Sequence, residues 1–257
     1  MTEPTPASVA VVGSSDGPDA PPPTHRPATP PERKAALDAI AAEVRACRRC
    51  PLWAGRTNAV PGEGDPDTEV VFVGEGPGFN EDRQGRPFVG RAGDLLVRLI
   101  GSLGWRRQEV FITNVVKCRP PENRDPEPAE IEACEPYLRR QLEILDPALI
   151  VTLGRYSMAR FMPGARIGGA HGTMAPVDPA SGARSALVYA LYHPAAALRS
   201  PEVERQSYLD VAGIPAALTE ARRRRAAAPR AAATGDAAAI SLPVEPSAHP
   251  AEAPTLF

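Results

Sequence analysis

Four short runs of the chain are almost wholly apolar: VVFV at 70–73, VFITNV at 110–115, LIVTL at 149–153 and LVYAL at 187–191. Runs of this length, β-branched and without polar alternation, predict strands covered on both faces. Between them lie longer segments whose apolar residues return every three or four positions. These predict helices at about 33–45, 92–102, 128–145 and 202–222. In the third, Ile131, Cys134, Tyr137 or Leu138, and Leu142 define the buried stripe. Strands alternating with crossover helices predict an α/β fold, a three-layer α/β/α sandwich around a central, mainly parallel four-stranded sheet. Open sheets of this kind take ligands beyond the carboxyl ends of their strands, which directs attention to the loops after Val73, Val115 and Leu191.

The ends of the chain lack this patterning. Prolines number 31 in 257 residues, more than twice the usual share of roughly 5%. They concentrate where large apolar side chains are scarce, so that ordering entropy goes uncompensated. Residues 1–33 are therefore expected to be a disordered Pro-rich tail, 34–222 one folded domain and 223–257 a disordered Ala/Pro-rich tail. With 29 Lys+Arg against 31 Asp+Glu and a net charge of -2, global charge announces neither a nucleic-acid nor a membrane partner. No apolar run reaches the ~20 residues of a membrane helix, and the opening residues lack the pattern of a secretory signal, so a cytoplasmic protein without a membrane partner is expected. In that compartment four cysteines are more naturally thiols, metal ligands or cluster ligands than disulfides.

Candidate chemistry lies in the expected loops. After the first strand comes Gly74-Glu75-Gly76-Pro77-Gly78, then Glu81-Asp82, then GRPFVGRAG at 85–93. The glycines let backbone approach a ligand closely, although the spacing is neither a Walker loop nor a dinucleotide fingerprint. Glu75 and Glu81 are carboxylates able to orient a water. Asn114, ending the second strand, offers an acceptor and two donors, which matches the N3–H and O4 of uracil; cytosine presents the opposite pattern at both positions. His193, after the last strand, can donate to an oxygen gaining negative charge. Cys47 and Cys50 form a CxxC pair, and Cys118 and Cys134 complete four thiols, a set serving zinc and iron-sulfur clusters equally well.

Taken together, GEGPG, the following ED and GRPFVGRAG, TNVVKCRPP, LIVTLG, YHPAA and the four cysteines resemble the family 4 uracil-DNA glycosylases, the iron-sulfur branch of their superfamily, over about residues 36–215. The resemblance implies a DNA-repair hydrolase that excises uracil from DNA and leaves an abasic site, by base flipping and stabilisation of the uracil anion. It implies a 4Fe-4S cluster on Cys47, Cys50, Cys118 and Cys134. The pocket would be the backbone of Gly74, Glu75 and Gly76, with Phe88 stacking on uracil, Asn114 reading its edge and His193 at the leaving group. Where a better-known branch carries a water-activating Asp, this chain has Gly76, so Glu75 or Glu81 is expected to orient the water. That branch also bars the thymine methyl with a Tyr where Gly78 stands here. A rival class is a relative that captures uracil-DNA covalently through a His-containing basic insertion; no His lies between Gly78 and Gly93, which favours turnover. An electron-transfer protein is a third class. Beyond uracil-containing DNA, the partner expectations are a monomer with a weak replication-clamp contact through residues 254–257 and nonspecific DNA contact through Arg222 to Arg225. Arg48, Arg49, Arg119 and Arg124 are further candidate phosphate contacts.

Overall fold

The computed structural model describes residues 29–184 and 186–227. The clamp motif at 254–257, and most of both expected tails, lie outside them. Helices are α1 (Pro30–Ala46), α2 (Leu52–Gly55), α3 (Phe79–Gln84), α4 (Arg91–Ser102), α5 (Pro128–Leu145), α6 (Arg155–Phe161), α7 (Ile167–Ala170), α8 (Pro194–Ala197), α9 (Pro201–Val211) and α10 (Ile214–Ala227). Strands are β1 (Glu63–Gly64), β2 (Val70–Gly74), β3 (Phe111–Asn114), β4 (Leu149–Leu153), β5 (Met174–Pro176) and β6 (Leu187–Leu191).

The sheet order is β1-β3-β2-β4-β6-β5. Its centre, β3-β2-β4-β6, is parallel throughout and consists of the four runs read from the sequence. The sheet has six strands rather than four, because β1 and β5 add short antiparallel edges. Two and three residues long and at most half-buried, they are too short to be read as strands from the sequence.

Every residue of the central strands is buried, and alternate side chains feed opposite layers. Val71 and Val73 pack with Ile40 and Val44 of α1 and Leu138, Leu142 and Leu145 of α5. Val70 and Phe72 pack with Leu95, Leu96 and Leu99 of α4 and with Val211, Ile214 and Leu218 of α9 and α10. The result is the three-layer α/β/α sandwich.

Two boundaries differ from expectation. The first helix begins at Pro30, inside the expected tail, because Thr29 and Glu32 form a reciprocal capping box and Pro30 occupies the first turn. The helix expected at 202–222 is two helices, the second running on to Ala227. The break falls at Gly213, where a Cβ would lie 2.4 Å from the Tyr189 hydroxyl. That hydroxyl, reaching from β6, donates to the Asp210 carbonyl at 2.7 Å. Among the described residues no helix is long and apolar enough to cross a membrane.

Candidate active site

The carboxyl ends of the four parallel strands converge. Gly74 stands opposite Asn114 in the β2–β3 register, and Leu153 stands opposite Leu191 at the ends of β4 and β6. Just beyond them is a cavity of about 690 Å³ whose lining includes Glu75, Gly76, Glu81, Phe88, Asn114 and His193. That volume falls in the range of small-molecule sites. The expected site residues from three separate loops thus share one space, except Gly74, which packs against Asn114 and Phe88 without lining it.

Gly74 makes this packing possible. A Cβ there would fall 2.4 Å from Asn114 Oδ1 and 2.5 Å from Phe88 Cζ, so any side chain would expel one of the two. The loop is sewn to the chain after β3 by Val115 N–H donating to the Gly74 carbonyl and Val116 N–H to the Glu75 carbonyl, both at 3.0 Å.

Phe88 holds a left-handed backbone, φ 50, a conformation that strains a residue with a Cβ. Its surroundings impose it. Arg107 donates from Nη1 to the Phe88 carbonyl at 3.1 Å and from Nη2 to that of Pro87. Gly93 admits the same carbonyl, since a Cβ there would lie 2.0 Å from it. Glu81 secures the other flank: Oε1 accepts from Val89 N–H at 2.9 Å and Gly90 N–H at 3.0 Å, and Oε2 from Gly78 N–H at 3.2 Å. With three backbone donors on its two oxygens, Glu81 is a clasp between the glycine loop and the Phe88 loop. Both of its oxygens are thereby engaged by the backbone.

Asn114 is 1% exposed, and its Oδ1 is buried with no hydrogen-bond partner among the described residues. An unsatisfied buried acceptor is expensive, on the order of 1–3 kcal/mol, so one at a cavity wall marks a place where a donor is meant to arrive. Its backbone carbonyl is fixed by Lys117, whose buried Nζ donates to it at 2.8 Å, to Thr113 Oγ1 at 2.6 Å and to Gln141 Oε1 at 2.7 Å. Burial brings the Lys117 ammonium down to about 8.

His193 caps α8, its Nδ1 accepting from Ala195 N–H at 3.1 Å. An imidazole that accepts at Nδ1 carries its proton on Nε2. Burial, aided by Arg199 and opposed by Glu81, pushes its pKa down to about 4. The group is therefore a neutral Nε2–H donor at physiological pH. Its ring lies 5.8 Å from that of Phe88, centroid to centroid. Gly154, at φ +91, clears its path: a Cβ there would meet His193 Cβ at 2.8 Å. The other described histidine, His171, is tied to Asp210 at 2.8 Å and stacked on Tyr192.

Glu75 is half-buried, and no described hydrogen bond ends on its carboxylate. Burial and then the neighbouring Asp125 raise its pKa to about 6, against the pull of Arg155. Of the candidate phosphate contacts, Arg124 is committed to Glu130 at 2.6 and 2.9 Å. Arg222 pairs with Glu69, Arg223 and Arg224 with Glu220, and Arg225 with Asp146. The arginine run thus braces α10 instead of presenting a free basic patch.

The four cysteines are free thiols within one apolar cluster, from the end of α1, the turn before α2, the loop after β3 and α5. Burial is the largest influence on three of them: Cys134 is pushed up to about 12, and Cys50 and Cys118 are raised. Donors nevertheless point at the sulfurs. Arg56 Nη1 lies 3.1 Å from Cys118 Sγ, Lys117 N–H 3.3 Å from Cys134 Sγ and Arg49 N–H 3.5 Å from Cys47 Sγ. Buried thiols met by N–H donors suit thiolates bound to a metal group. Among the described residues no three His, Cys, Asp or Glu side chains form a group able to hold a single metal ion.

Arg107, Lys117 and Gly154 were not singled out from the sequence. Lys117 had a signal, a cation inside the otherwise apolar VVKC; Arg107, in a polar turn, had none.

Comparison with known proteins agrees with this geometry. The model of the uracil DNA glycosylase superfamily matches residues 61–212. The chain is 51% identical over 175 residues to the type-4 uracil-DNA glycosylase of Sulfurisphaera tokodaii, covering 66% of this chain and 79% of that protein. It is 46% identical over 176 residues to that of Archaeoglobus fulgidus, 66% and 87% of the two chains, and 45% identical over 168 residues to that of Thermotoga maritima, 65% and 86%. On a fold, a converging pocket and matches of this extent, the chain belongs to the uracil DNA glycosylase superfamily, among its type-4 members.

Proposed function

We propose that this protein is a DNA-repair uracil-DNA glycosylase: it hydrolyses the N-glycosidic bond of uracil in DNA and leaves an abasic site. The observation that carries the reading is the unpartnered buried Oδ1 of Asn114 in the same cavity as Phe88 and His193. A base within a duplex is out of reach, so the uracil must be extruded, at a cost of a few kcal/mol that is least for single-stranded DNA. Phe88 offsets part of that by stacking, worth roughly 1 to 3 kcal/mol per base. Asn114 accepts from uracil N3–H and donates to O4, a pairing cytosine cannot satisfy.

As the bond to C1′ breaks, the sugar becomes oxocarbenium-like and uracil leaves as an anion with its charge spread over N1 and the carbonyl oxygens. The neutral His193 donates from Nε2–H to one of those oxygens. A donor already aimed at developing charge needs no reorganisation at the moment of reaction. Glu75, whose carboxylate carries no described hydrogen bond, orients the attacking water and accepts its proton, whereas both oxygens of Glu81 already accept from backbone N–H groups. Cys47, Cys50, Cys118 and Cys134 would hold a 4Fe-4S cluster, which when bound cross-links α1, the loop after β3 and α5, and so steadies the Asn114 strand end. The cytoplasm, where such thiols stay reduced, is the fitting location.

The test is incubation with a single-stranded uracil oligonucleotide followed by alkaline cleavage, using protein whose iron and visible absorbance have been measured. Cleavage at uracil, in iron-bearing protein, is the expected result. Intact DNA, or an adduct surviving heat and detergent, overturns the reading of turnover, and zinc at one per chain in anaerobic preparations overturns the cluster.

The pH profile tests Glu75 separately. The carboxylate form accepts the proton, so kcat/KM should rise with pH through about 6, the pKa set by burial and Asp125, falling about tenfold per pH unit below it. Glu75→Gln should lack that limb. Persistence of the limb in the variant assigns it to another group.

A further inference from the structure

An exposed aromatic adjoins the cavity in the chain without lining it. Phe79, the first residue of α3, follows the cavity-lining Gly78 and is 52% exposed. Nothing in the reaction described above uses it. Two guanidinium groups lie over its ring: Arg119 Cζ at 5.2 Å from the centroid and Arg83 Cζ at 5.7 Å. Arg119 precedes Pro120 and donates from Nε to Asn123 Oδ1 at 2.7 Å; both of those residues also line the cavity.

Neither guanidinium is held by a described carboxylate. Arg86, Arg107, Arg124, Arg155 and the arginines of α10 are each paired with a carboxylate, whereas no ion pair is described for Arg83 or Arg119. An exposed ring flanked by two cations with no described ion pair, one step from a base pocket, has the makings of a single-strand contact. Aromatic rings stack on any base, and nearby cations attract the backbone. A guanidinium over an exposed ring is held weakly, so an arriving base can take its place on the ring while the arginine turns to phosphate.

We propose that Phe79, with Arg83 and Arg119, is a stacking site for an unpaired nucleobase adjacent to the extruded uracil. It rests on the uracil-excision reading and deepens it: the protein grips single-stranded DNA through two bases, the uracil inside the cavity and a neighbour on its rim. The site is indifferent to the neighbour's identity, because every base has a π-face, and is of no use to a neighbour still stacked and paired in a duplex.

The experiment is a binding cycle on single-stranded oligonucleotides carrying 2′-fluoro-2′-deoxyuridine, whose fluorine disfavours the oxocarbenium and so preserves the bond. In one set the nucleotide on the 5′ side is a base-less tetrahydrofuran spacer; in another, the one on the 3′ side. Wild-type protein should lose about tenfold in affinity for one of the two spacer oligonucleotides. Phe79→Ala should bind the fully based oligonucleotide about tenfold more weakly than wild type and be insensitive to either spacer, and Phe79→Trp should restore both affinity and sensitivity. Spacer penalties equal in wild type and Phe79→Ala, or wild-type indifference to both spacers, overturn the proposal. Failure of the underlying reading is distinct: wild-type protein would leave an ordinary uracil oligonucleotide uncleaved.

Discussion

Asn114→Asp should lower single-turnover excision of uracil by about 10³-fold or more. The substitution is nearly isosteric, and its effect follows from charge and from the inventory of donors. If the carboxyl is ionised it can still accept from N3–H but has nothing to donate to O4. Its negative charge, at a site 1% exposed, also opposes the charge that uracil acquires as it leaves. The Lys117 ammonium, 2.8 Å from the Asn114 carbonyl, helps to keep a carboxylate ionised there. If burial protonates it instead, its carbonyl oxygen can accept from N3–H and its hydroxyl can donate to O4, so the loss of rate belongs to the ionised form and should deepen as pH rises. Asn114→Ala removes both bonds without adding charge, so the order of rates wild type, Ala, Asp separates electrostatic opposition from lost recognition. The assay is excision with enzyme in excess, on variants whose circular dichroism matches wild type. An Ala variant within tenfold of wild type would remove Asn114 from the pocket's chemistry.

The same residue shows what a linear sequence can and cannot convey. Asn114 and His193 were legible because each ends or follows an unbroken apolar run, and parallel sheets present their ligands at that end. Those runs are continuous because both faces of β2, β3, β4 and β6 are covered, so the signal is local and strong. Edge strands β1 and β5 owe their existence to a neighbour's free edge, which leaves no mark on two or three residues. Glu81 illustrates a subtler loss. A carboxylate beside a glycine loop reads alike whether it faces a ligand or three backbone N–H groups, and only the fold brings Val89 and Gly90 to it. The strained backbone of Phe88 is likewise a product of Arg107 and Gly93 closing in from elsewhere. Its aromatic character could be read, its orientation could not.

His193→Ala should reduce the single-turnover rate by about 10²- to 10³-fold, the effect of removing one preorganised donor to developing charge. Its affinity for DNA carrying the fluorinated uracil nucleoside should stay within about threefold. The split arises because the ground-state oxygen carries little charge, so the hydrogen bond strengthens only as the bond to C1′ opens. Because the imidazole also caps α8 through Nδ1, Ala removes a structural contact as well. His193→Asn, a side chain favoured at caps but shorter than imidazole, should keep the helix end and suffer the same loss of rate. The pH dependence supplies an independent reading. With a pKa of about 4, His193 is neutral throughout the range from pH 5 to 8, so the limb near 6 belongs to Glu75 and should survive in His193→Asn at the lower absolute rate. A variant whose affinity falls while its rate at saturation holds would make His193 a binding group, and uracil's charge would then have to be met by other donors of the same cavity.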